Sequence, residues 1–132
     1  MFIRSLRTGI ERYTLYNRTG ENDMNISVDL QHQENKVLGF IEGEIDAFTA
    51  PMLREKLAEI TLEDSKEIIL DLSEVSYMDS TGLGVFVGFF KNAKAENAKL
   101  KLTGLSSRLK RLFDITGLGE IMDIESTSGE VN

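Results

Sequence analysis

Between Glu67 and Phe90 the chain changes its periodicity twice, and that change restricts the fold more than any other feature. Glu67-Ile68-Ile69-Leu70-Asp71-Leu72 is a short apolar run with β-branched residues, the length and composition of a strand. Val85-Phe86-Val87-Gly88-Phe89-Phe90 opens an apolar run of helix length. Between them lies Met78-Asp79-Ser80-Thr81-Gly82-Leu83-Gly84: an acid, two hydroxyls and two glycines where a first helical turn should begin. The strand run shows little alternation, so it is expected to be covered on both faces.

The flanking sequence repeats this strand-helix logic. Ile26–Leu30 alternates apolar and polar, and Lys36–Gly43 does so again after a polar turn, which predicts an antiparallel hairpin. Glu44-Ile45-Asp46 follows as a loop or short continuation. Thr49 is placed as an N-cap with Pro51 just inside the helix, where its missing N–H costs little. Met52, Leu53, Leu57 and Ile60 fall on one face of that helix, and Arg54, Glu55, Lys56 and Glu59 on the other. The helix leads to Glu67–Leu72, so it is a crossover between parallel strands. A second helix is expected from about Thr81 to Ala95, and a fourth strand at Lys99–Thr103. A third helix is capped by Ser106 or Ser107 and closed by Gly117 and Gly119, and a short fifth strand runs from Ile121 to Ile124. The order is β-β-α-β-α-β-α-β: an α/β fold with a mixed sheet of four to five strands and helices packed mainly on one side.

With 132 residues the expectation is one domain. A net charge of −7 argues against nucleic acid or an anionic membrane as the main partner. The absence of cysteine removes disulfides, thiol catalysis and thiolate-bound zinc, and the single histidine, His32, sits among polar residues of the first strand. No apolar run approaches the roughly 18 residues of a membrane span. Neither a catalytic residue, a metal site nor a cofactor is expected.

Residues 1–23 read differently. Four arginines against three acids give them a net +1, whereas the remainder is net −8. They lack the apolar core and small-residue cleavage pattern of a secretory signal. Met24 opens the clean strand pattern, so 1–23 is read as an extension, disordered or non-native, with a short helix from Leu6 to Tyr16 as the alternative. Residues 24–125 form the domain, and 126–132 a flexible tail.

Ser80 stands where a strand ends and a helix begins, the edge on which such sheets carry their sites. Two roles are open to its hydroxyl. It is a helix cap, accepting from an early backbone N–H, or it is a phosphate acceptor. A helix N-terminus offers free N–H groups and about half a positive charge, so a phosphate is tolerated there. Phosphorylation would add about −1.5 to −2 charges beside Asp79, with Asp46 near by, and so disturb a docked partner. Gly82 and Gly84 either let a partner's backbone approach or let the helix pack tightly on the sheet. Patterns for a nucleotide P-loop and for a hydrolase serine elbow are absent.

Three blocks together resemble a known family. Ser76-Tyr77-Met78-Asp79-Ser80-Thr81-Gly82-Leu83-Gly84 is similar to the signature of bacterial anti-sigma factor antagonists, the STAS domain. Gly43-Glu44-Ile45-Asp46 resembles that family's G-E-[IL]-D element, and Arg111–Leu118 its R-L-F-x-x-[ST]-G-L helix. The likeness covers about residues 24–125 and is nearest to the single-domain antagonists of the general-stress sigma factor.

The resemblance implies partner switching in the cytoplasm. The unphosphorylated antagonist binds an anti-sigma factor that is also a serine kinase, and sigma is freed. The kinase phosphorylates the motif serine, here Ser80, and the complex separates. A PP2C-type phosphatase then resets the cycle. Asp46, Thr49, Asp79, Thr81, Gly82 and Gly84 are expected on the kinase-facing surface, and the free domain is expected to be a monomer. The alternative is a STAS scaffold or nucleotide-sensing module within a larger signalling complex.

Overall fold

In the computed structural model, residues 2–7, 10–15, 26–60 and 67–126 are described. The strands are β1 (Phe2–Arg7), β2 (Ile10–Leu15), β3 (Ile26–His32), β4 (Lys36–Ile45), β5 (Glu67–Met78), β6 (Lys99–Leu105) and β7 (Asp123–Ser126). The helices are α1 (Ala50–Ala58), α2 (Ser80–Ala95) and α3 (Ser107–Ile115), with a 3-10 turn at Leu118–Glu120. Among the described residues the strands make one seven-stranded sheet in sequence order. Pairing is antiparallel from β1 to β4 and parallel from β4 to β7.

That order decides where the helices go. Each parallel crossover steps to the next strand in the same direction. Right-handed crossovers therefore place α1, α2 and α3 on one face of the sheet. Burial follows the same period: Val37, Ile41 and Ile45 of β4, Ile68, Leu70 and Leu72 of β5, and Leu100 and Leu102 of β6 are all buried. Met52, Leu53 and Leu57 of α1 and Phe86 and Phe89 of α2 close over them. Phe86 and Phe113 meet at 6.5 Å between ring centroids, joining α2 to α3.

The five strands and three helices expected from the sequence are all present, with four differences. β5 is covered on one face only: Ile69 and Asp71 are half-buried on the face opposite the helices. Isoleucine at both 68 and 69 hid the alternation. Lys56 is buried at 7% exposure rather than solvated, because its stem packs inward while Nζ reaches Glu59 Oε2 at 3.2 Å. The last strand is Asp123–Ser126, since the N–H groups of Ile121 and Met122 turn back to Leu118 O instead of pairing with β6. Residues Phe2–Arg7 and Ile10–Leu15, read as unstructured or helical, pair instead as a hairpin whose second strand runs along β3 from Ile26 to Gln31. β-Branched and aromatic residues such as Ile10, Tyr13 and Thr14 suit a strand, and the edge of β3 supplies a partner for one. Apart from Ser126, which ends β7, the tail expected at 126–132 lies outside the described residues.

Candidate functional site: the β5–α2 junction and the turn beside it

Because β4 and β5 are parallel, their C-terminal ends come out side by side, with Ile45 opposite Met78. The backbone N–H of Asp79 donates to Ile45 O at 3.2 Å and fixes the two exits together. The edge therefore holds Asp46 and Thr49 after β4, and Asp79, Ser80, Thr81, Gly82 and Gly84 after β5.

Asp79 is the cap of α2. Its backbone is extended, and Oδ1 accepts from the N–H groups of Thr81 at 2.9 Å and Gly82 at 3.1 Å. Of the two roles the sequence leaves open to Ser80, the structure gives the cap to the residue before it. Aspartate and serine are about equally good caps, so the sequence does not separate them. With Asp79 in that role Ser80 becomes the first helical residue. Its side chain is exposed, and among the described residues its hydroxyl makes no hydrogen bond. Thr81 is likewise exposed.

The turn after β4 is organised by Asp46. Its Oδ1 accepts from Phe48 N–H at 2.9 Å and Thr49 N–H at 3.0 Å. Thr49 does not cap α1 with its side chain. Its hydroxyl donates to Glu44 O at 2.8 Å and accepts from Asp46 N–H at 3.0 Å, and the residue is 1% exposed. Thr49 is thus a buried brace for the turn, whereas Asp46 is half-buried at the surface. Gly43, at φ 115°, gives the bulged end of β4 a conformation suited to glycine.

The two motif glycines have different roles. A Cβ built on Gly82 would lie 2.6 Å from Ile45 Cγ2 and 3.0 Å from Ile45 O, so this glycine lets α2 approach β4. Gly84 is exposed, with nothing within 4 Å of such a Cβ. Gly82 therefore serves packing, and Gly84 leaves the surface open.

Three exposed apolar side chains near this edge were not singled out from the sequence: Phe48 at the tip of the Asp46 turn, Tyr77 just before the motif, and Ile115 at the end of α3. No periodicity marks them, since each stands at a turn or an element end rather than within a repeating apolar face. Among the described residues, no group of three or more histidine, cysteine or acidic side chains is arranged to hold a metal. Nor, among these residues, is any helix long and apolar enough to cross a membrane.

The sequence profile of the STAS domain matches residues 27–131. The anti-sigma-B factor antagonist of Bacillus subtilis is 54% identical over 105 residues, which are 80% of this chain and 95% of that protein. The antagonist of the same name from Listeria monocytogenes is 48% identical over 110 residues, 83% of this chain and 96% of that protein. Among solved structures, the Bacillus cell-fate determinant SpoIIAA in its phosphorylated form superimposes with a TM-score of 0.60 at 25% identity, covering 76% of this chain and 92% of that one. The profile begins at the second residue of β3 and continues beyond β7, and the Bacillus and Listeria antagonists align across four-fifths of the sequence: this chain belongs to the STAS domain family.

Proposed function

We propose that this chain is an anti-sigma factor antagonist switched by phosphorylation of Ser80. Unphosphorylated, it binds an anti-sigma factor serine kinase in the cytoplasm and so releases the sigma factor. Phosphorylated on Ser80, it dissociates, and a PP2C-type phosphatase restores it. It is a substrate and a binding protein rather than an enzyme.

The observation that carries this reading is the free state of the Ser80 hydroxyl. Asp79 satisfies the helix terminus, so Ser80 presents an exposed nucleophile that the fold does not use. A phosphate there meets the positive end of the α2 dipole, so modification is compatible with the folded domain. A docked partner instead meets about −1.5 to −2 new charges beside Asp79. The names of the Bacillus and Listeria relatives support the antagonist assignment, and the phosphorylated form of the structurally similar SpoIIAA supports phosphorylation as the switch.

The test uses the anti-sigma factor kinase of the same organism with ATP, and maps the phosphate by mass spectrometry. Ser80→Ala should take up no phosphate and still bind the kinase. Ser80→Asp should fold, yet bind at least about 30-fold more weakly, the equivalent of about 2 kcal/mol for an uncompensated interfacial charge. A phosphate mapped elsewhere, or Ser80→Asp binding as tightly as the wild type, removes Ser80 from the switch.

A further inference from the structure

β5 is longer on one side than on the other. It pairs with β4 as far as Met78, but with β6 only as far as Asp71 opposite Thr103. Past that point β6 leaves for α3, and a wedge opens between the end of β5 and the helix. The wedge is a groove of about 260 Å³. Ser76 and Tyr77 form one wall, and Arg108, Arg111, Leu112 and Ile115 form the other. The last four make a single stripe, because positions three and four apart share a helix face.

Two properties of this groove bear on what it could hold. It is apolar and open, with Tyr77 48% and Ile115 76% exposed. It is also cationic on a chain of net charge −7. Both guanidinium groups belong to exposed residues, and neither is in an ion pair among the described residues. Lys110, by contrast, is turned to Asp114 at 3.0 Å. Two arginines without an ion pair among the described residues, flanking exposed apolar side chains, complement a segment that carries carboxylates among apolar residues. The groove also adjoins the switch, since Ser76–Met78 lead directly into Asp79 and Ser80.

We propose, building on the antagonist reading above, that this groove is a second docking site for the anti-sigma partner and receives an acidic, apolar segment of it. Arg108 and Arg111 take the carboxylates, while Tyr77, Leu112 and Ile115 take the apolar side chains. The surface then has two halves. The Ser80 edge senses phosphate, and the α3 groove beside it supplies charge-matched contact.

The experiment titrates the organism's anti-sigma factor kinase into full-length wild type, Arg108→Glu/Arg111→Glu and Lys91→Glu, with melting curves to confirm folding. Lys91 is exposed on α2, about 16 Å along the helix from Ser80. The double reversal should weaken binding by more than about tenfold and flatten its dependence on salt between about 50 and about 300 mM. Lys91→Glu should leave both unchanged. In a second measurement, a photo-cross-linking residue replaces Ile115, and its adducts should map to an acidic, apolar stretch of the kinase. Wild-type binding that survives the double reversal within about twofold overturns the groove while leaving the antagonist reading intact. So do adducts that map to a basic stretch, or no adducts at all. Failure of the wild type to bind removes the antagonist reading and the groove proposal with it.

Discussion

Asp79 and Ser80 are adjacent, yet they carry separable burdens. Asp79 accepts two of the backbone N–H groups that a helix start leaves without partners. The Ser80 hydroxyl contributes no hydrogen bond among the described residues. Asp79→Ala should therefore lower stability by about 0.5–2 kcal/mol, or about 4 °C in Tm for a domain of this size. Asp79→Asn should recover most of that, because its amide oxygen can still cap. Ser80→Ala should melt with the wild type. Calorimetry on the four proteins checks the division, and a Tm loss at Ser80→Ala equal to that at Asp79→Ala would return the cap to Ser80. The sequence located the junction but not this assignment. Asp-Ser-Thr offers three candidate caps in a row, and only the extended backbone at Asp79 selects one. Thr49 shows the same limit. As a residue type it is a good cap, but a carbonyl at Glu44, five residues earlier, captures its hydroxyl.

α2 is the element that joins stability to function, and its first two turns show how. Gly82 faces β4 and Gly84 faces solvent, although the sequence presents them as a matched pair. Gly82→Ala forces a methyl against Ile45 Cγ2, Met78 Cγ and the Ile45 carbonyl. Overpacking of that kind costs about 1–3 kcal/mol, and it pushes the β5–α2 junction away from the Asp46 turn. Gly84→Ala meets no neighbour and should stabilise the helix by about 0.5–1 kcal/mol. Opposite shifts in Tm are thus expected from two chemically identical substitutions two residues apart, and thermal melts decide it. The strands and helices were readable from period and length wherever one face is apolar, as in Ile26–Leu30 or Met52–Ile60. β5 misled because Ile69 projects an apolar side chain onto the open face of the sheet. The groove beside α3 was not readable, because it arises from the divergence of β6 from β5 after Thr103. Arg108 and Arg111 are exposed on α3, and what they face is set by tertiary structure.

Seven strands in sequence order place the N-terminal hairpin and the switch on different parts of one sheet. β2 and β5 are three strand spacings apart, about 14 Å. The hairpin's contribution is therefore to the edge of β3, where it pairs from Ile26 to Gln31, and not to the chemistry at Ser80. Relatives support this division: 105 aligned residues make up 95% of the Bacillus antagonist, and the STAS profile begins at residue 27. A chain beginning at Met24 should therefore fold, and its Ser80 should be phosphorylated by the kinase within about twofold of the full-length rate, since distant sites without shared partners act independently. Its cost should appear elsewhere. The ladder of β3 would be exposed as a long sheet edge, a template for pairing with another chain. Lower thermal stability and concentration-dependent self-association are the expected signs, read by melting curves and by sedimentation. If the shortened chain instead lost phosphorylation while remaining folded and monomeric, β1 and β2 would have to belong to the kinase-facing surface. The boundary at residue 24 would then divide a functional unit rather than trim its edge.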